Sequence, residues 1–181
     1  MSSAARLLLL ACVVLLVGAE SAQAGEFTID ARGSSDSFGK VLAIGDFKPR
    51  RDPTVGAALD AYGMPSFKRR VSREGCRVGW NGPGINVVFA NLGGGGPCAR
   101  GRAQTARAFG ARWRTAKGLR VGAPLARLRS LYPNAKQRGD VWWLVTAQSP
   151  IGVPHRYPVL SAVVRGGTVR SFALQILAAG D

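Results

Sequence analysis

Cys76 and Cys98 are the only cysteines beyond residue 24, and a bond between them is the hardest constraint this chain places on its own folding. Three features at the start of the chain argue that the bond forms. Arg6 supplies a positive charge, Leu7 to Ala19 is an unbroken apolar run, and Ala22-Gln23-Ala24 has the small-x-small pattern that signal peptidase accepts. The run falls well short of the roughly 20 residues a membrane-spanning helix needs, so residues 1–24 read as a cleaved signal peptide and the mature chain opens at Gly25. Cys12 lies inside the apolar run, where lipidation does not fit, and it leaves with the leader. The expected product is secreted or associated with the cell envelope, a compartment in which paired thiols oxidise. Closing a loop of about 20 residues stabilises the fold by about 3 kcal/mol in the chain-entropy model.

The rest of the chain, residues 25–181, is long enough for one domain or two small halves with a real core. No second apolar run approaches membrane-spanning length. Lys and Arg number 25 against 10 Asp and Glu, a net charge of +15, and loss of Arg6 with Glu20 leaves that balance unchanged. The distribution is uneven. Between Glu74 and Asp140 there are twelve Arg or Lys and no carboxylate. A field of one sign attracts polyanions, whereas codon bias toward Arg would explain the type of cation better than the missing acids.

Residues 25–40 are polar and glycine-rich and read as an entry segment, with a strand at Phe27–Asp30. Val41–Ile44 reads as a short strand. Asp52-Pro53 signs the start of a helix whose apolar stripe is Val55, Ala58, Leu59 and Tyr62, with Gly63 and Pro65 as its stop. Cys76–Trp80 and Ile85–Ala90 form a hairpin across Asn81-Gly82-Pro83-Gly84. The glycines 93–96 lack the Lys-Ser or Lys-Thr that a phosphate-cradling loop requires. Residues 99–111, with Arg100, Arg102 and Arg107, read as a basic linker. Val121, Leu125, Leu128 and Leu131 trace a second helix, and three β-prone runs follow: Val141–Thr146, Tyr157–Arg165 and Thr168–Ile176. Gly166-Gly167 suits a two-residue hairpin turn.

The halves look alike. Val55-Gly56-Ala57-x-Leu59 recurs as Val121-Gly122-Ala123-x-Leu125, and Gly84 with Phe89-Ala90 recurs as Gly167 with Phe172-Ala173. The expected fold is therefore α+β, with two tandem pseudo-repeats at 41–98 and 112–181, each a short helix packed on an antiparallel sheet. Leu59 and Leu125 would be equivalent buried helix residues.

Val55-Gly56, the short helix, Gly63-Met64-Pro65 and the strands that follow resemble the repeat of β-lactamase inhibitory proteins and of the small outer-membrane lipoproteins of the barrel-assembly machinery. The resemblance implies helical elements against a curved antiparallel sheet and, for the inhibitors, an enzyme bound on the concave face. The second half departs from the pattern, ending its helix in Tyr132-Pro133, and no inhibitory residue aligns with this chain.

Chemistry is sparse. His155 is the only histidine, so a metal site would lack ligands beyond it and two cysteines, and no metal or cofactor is expected. Ser149, His155 and Asp140 could be assembled into a triad only by the fold, and the carboxylates are scattered singly. The expectation is a non-enzymatic binding module that contacts an anionic polymer (wall polymer, acidic glycan or nucleic acid) through Arg100, Arg102, Arg107, Arg112, Arg114, Lys117 and Arg120. One alternative is a protein inhibitor of a secreted enzyme that binds through its sheet face; the other is a small secreted hydrolase. Trp142 and Trp143 are adjacent on a strand and must point to opposite faces, which makes them the sheet-face candidates. Trp80 and Trp113 read as core.

Overall fold

A computed structural model describes residues 25–34, 39–91, 93, 95–149 and 155–176, so the leader expected at 1–24 lies outside the described residues. Strands dominate. They are β1 (Phe27–Arg32), β2 (Lys40–Ile44), β3 (Phe67–Arg70), β4 (Gly75–Trp80), β5 (Ile85–Ala90), β6 (Arg102–Ala108), β7 (Trp113–Thr115), β8 (Lys136–Arg138), β9 (Val141–Gln148), β10 (Arg156–Arg165) and β11 (Thr168–Gln175). Three short helices, α1 (Val55–Tyr62), α2 (Pro97–Arg100) and α3 (Leu125–Leu131), complete the described elements. None is long and apolar enough to cross a membrane.

The strands form two sheets. The smaller has the order β2-β1-β7, and the larger has the order β3-β4-β5-β6-β11-β10-β9-β8. This corrects the expected α+β arrangement of two helix-on-sheet repeats. The fold is β-rich, and one eight-stranded sheet runs through the region where the halves were to be separate. The reason lies in the presumed linker. Ala103, Ala106 and Ala108 point inward while Arg102, Thr105 and Arg107 point out, and β6 pairs with β5 on one side and β11 on the other. Alanine has little β-propensity of its own, but here a small side chain fits between Ile85 and Phe172, which flank Ala108 in register.

Local signals that do not depend on distant pairing hold. In α1 the N-cap is Thr54, whose hydroxyl accepts from the Ala57 N–H. Asp52, the expected cap, instead accepts from the Thr54 N–H at 3.0 Å, and its hydrogen bonds to Thr54 hold its carboxyl below the usual carboxylate range. Gly166 and Gly167 both have positive φ, 56° and 68°, as the tight β10–β11 turn requires. Cys76 and Cys98 are joined, tying α2 to β4.

One face of the large sheet carries the core: Cys76, Val78, Trp80, Ile85, Val87, Phe89, Phe172 and Leu174 are all buried. Phe27 of the small sheet stacks on Trp113 at 4.7 Å, and Tyr62 of α1 meets Trp80 and Trp113 edge-on. The indole N–H groups of Trp80 and Trp113 donate to the carbonyls of Gly63 and Pro83, so both tryptophans belong to the core as expected. Leu59 and Leu125 are only half-buried; the buried positions of α1 and α3 are Val55, Ala58 and Leu128.

Candidate binding face

The opposite face of the large sheet is open. Its geometry follows from the register alone, since residues directly paired across strands share a face. One row crosses all eight strands: Phe67, Gly79, Asn86, Arg107, Ala173, Ser161, Trp143 and Lys136, each paired with the next. A second row runs Arg69, Arg77, Val88, Thr105 and Gln175. Between them lies a cleft of about 450 Å³, lined by Arg77, Asn86, Thr105, Arg107, Ser161 and Gln175 among others. Ala106, Ala173 and Ser161 supply small residues to its lining, beside Val88, Pro158 and Leu174. The Phe67 ring lies over Gly79, so closely that a Cβ there would come within 2.2 Å of it.

The electrostatics are one-sided. No strand of the eight contains an Asp or Glu. Arg107 donates from Nε to the Ser171 hydroxyl at 3.1 Å, and its guanidinium has no acidic hydrogen-bond partner among the described residues. Basic side chains on β3 and β8 have a ready structural use, because these short edge strands would otherwise invite pairing with another chain. Arg77 and Arg107 are on inner strands, where that explanation does not apply.

The residues singled out from the sequence do not form one patch. Arg107 is on the open face, but Arg112, Arg114, Lys117 and Arg120 lie along and beyond β7 on the small sheet. There Glu26, from a distant part of the chain, bridges Arg114 and Arg120 at 2.8 and 2.5 Å. The absence of carboxylates in the sequence interval therefore does not survive folding. Arg112 packs over the Phe27 ring and donates to the Gly82 carbonyl, and Lys117 sits 5.0 Å from the Tyr132 ring centre. Arg100 ends α2, and Arg102 acts electrostatically on Asp52.

Trp142 and Trp143 separate as expected. Trp142 is buried on the core side beneath the Arg129 guanidinium, so of this pair only Trp143 belongs to the open face, with Arg138 over its ring at 5.7 Å. Arg77 and Asn86 were missed in the sequence. The alternation Cys76-Val78-Trp80 and Ile85-Val87-Phe89 was sufficient to turn both outward once the inward set was recognised.

Asp140 and Ser149 flank β9 at its two ends, roughly 25–30 Å apart at strand rise, and Asp140 pairs with Arg165. The Ser149–His155–Asp140 arrangement is therefore not assembled. Among the described residues no group of three or more His, Cys, Asp or Glu is placed to hold a metal. No protein-family model matches the chain, and no characterised protein or solved structure matches it significantly.

Proposed function

We propose that this protein is an exported, non-enzymatic binding module that engages an anionic partner on the open face of its eight-stranded sheet. The observation that carries this reading is the placement of Arg77 and Arg107 on inner strands, beside a cleft and with no carboxylate anywhere in the sheet. Unbalanced charge of this kind lowers the stability of a folded state, and an anionic ligand relieves it. Guanidinium groups suit the purpose because their planar donor forks match carboxylate, sulfate and phosphate.

The test is a salt titration of binding to heparin, DNA and a wall-type phosphate polymer, with the oxidised mature protein. Arg77→Gln with Arg107→Gln should lose both affinity and salt slope, while Arg112→Gln with Arg114→Gln should retain them. If the second pair abolishes binding and the first does not, the site is the small-sheet surface instead.

Trp143 favours a second reading, an inhibitor of a secreted enzyme. A half-buried tryptophan on an open sheet face is the kind of anchor that protein interfaces use. Binding through such an anchor would weaken little with salt, which separates the two readings.

A further inference from the structure

The chemistry of the open face is uneven along its length, and that unevenness narrows the ligand. This step rests on the reading of the open face as an anion site. The geometry points to an acidic polysaccharide, a chain of sugars bearing carboxylates or sulfates, lying across the strands along the row that carries Arg107 and Trp143.

Three features of the face carry this. The cations are spaced rather than clustered. Arg77 on β4 and Arg107 on β6 are two strands apart, about 10 Å across the sheet, which is close to the length of a disaccharide carrying one acidic group. Between and beside them the lining is uncharged and mixed: Asn86, Thr105 and Gln175 offer hydrogen-bonding groups, and Val88, Pro158 and Leu174 offer apolar ones, as the two kinds of surface on a sugar ring require. Amides and hydroxyls both donate and accept, as sugar hydroxyls require, and a plain charge patch has no use for them. The row is low between Arg107 and Trp143, where only Ala173 and Ser161 intervene, so a chain can settle there.

The aromatic pattern argues against nucleic acid. Sheets that bind single strands place aromatic rings where successive bases can stack on them. Here the middle of the row has none. Phe67 and Trp143 stand near opposite margins, six strand spacings or about 29 Å apart, too far for bases in succession. The half-buried Trp143 indole, with the Arg138 guanidinium 5.7 Å from its ring centre, pairs one aromatic with one cation, a combination suited to a single sugar ring that bears an acidic group. An acidic polypeptide would need only the charges and would be indifferent to Trp143.

The experiment uses the oxidised mature protein with polygalacturonate, heparin, single-stranded DNA and polyglutamate, each titrated at several salt concentrations. Trp143 is the reporter. Of the four tryptophans, Trp80, Trp113 and Trp142 are buried, so a ligand on this face should alter emission that is lost in Trp143→Phe. Polygalacturonate or heparin should bind at least tenfold more tightly than DNA or polyglutamate at equal salt. Arg77→Gln with Arg107→Gln should weaken that binding at least tenfold, and Trp143→Ala should weaken it several-fold. Melting curves and an intact Cys76–Cys98 bond in each variant separate loss of binding from loss of fold. DNA or polyglutamate binding as tightly through the same arginines, or a glycan bound without regard to Trp143, overturns the polysaccharide inference and leaves the anion face standing. If no polymer responds to Arg77 and Arg107, both readings fall.

Discussion

Arg69 stands directly opposite Arg77 across the β3–β4 pair, two like charges in register with no carboxylate in either strand. Directly opposed like charges destabilise a sheet by roughly 0.2–1 kcal/mol, and an edge strand could avoid the cost with any neutral residue. The pair lies at the margin of the cleft that Arg77 lines.

Relieving this repulsion should therefore separate stability from binding. Arg77→Gln is expected to raise the melting temperature by about 1–3 °C while it weakens anion binding. Differential scanning calorimetry beside a heparin titration checks both signs. A variant that loses stability would show that Arg77 has a structural partner after all.

The small-sheet cations should bind polyanions weakly in the native protein because Glu26 occupies both Arg114 and Arg120 and offsets one of their two charges. Glu26→Gln frees Arg114 and Arg120, and it should add a strongly salt-dependent affinity for double-stranded DNA. Its effect on stability should stay within about 1 kcal/mol, as expected for an exposed ion pair. Unchanged DNA binding in Glu26→Gln would mean that these arginines are held by other contacts.

Burial ranks the helix residues in a way that sequence likeness does not. Leu128 is fully buried, so Leu128→Ala should cost about 2–5 kcal/mol. Leu125→Ala, half-buried at the start of the same helix, should cost distinctly less. Urea unfolding of the two variants decides the order, and equal losses would contradict the packing described for α3.

The disulfide holds α2 on β4, where Cys76 is wholly buried. Peptide mapping should find Cys76 joined to Cys98, with neither thiol free. Reduction should lower stability by about 3 kcal/mol, and with it the melting temperature by several degrees. Two thiols alkylated without denaturant would contradict the bond.

Alkaline pH should unfold the protein partly through Tyr62. Burial, and then the nearby Asp46 charge, push its phenol well above its ordinary value of 10.0, and the hydroxyl donates to the Ile44 carbonyl. A raised folded-state pKa means that the native protein holds the proton more tightly. The contribution is complete below pH 10 and is lost as pH rises above it, when the unfolded chain ionises first. Tyr62→Phe should be less stable at neutral pH by about 1–3 kcal/mol, from the unpaired carbonyl, but should show a shallower decline above pH 10. Parallel slopes for the two proteins would place the alkaline transition elsewhere.

What the sequence settled by itself were features encoded within a few residues of one another. The α1 stripe, the Gly166-Gly167 turn, the β4–β5 hairpin and the opposed faces of Trp142 and Trp143 all follow from local sterics, periodicity and capping. The Cys76–Cys98 bond joins them, because these are the only two cysteines beyond residue 24. Tertiary structure decided the rest, because strand pairing is made between distant segments. Ala103, Ala106 and Ala108 say little until Phe89, Ile85 and Phe172 stand beside them, and only then does a basic stretch become a central strand that merges two presumed halves into one sheet. Charge behaves in the same way. Glu26 is far from Arg114 and Arg120 in the chain and in contact with both in the fold, while Arg77 and Arg107, thirty residues apart, come to border one cleft. A coulombic field depends on distance in space, and sequence order does not report it.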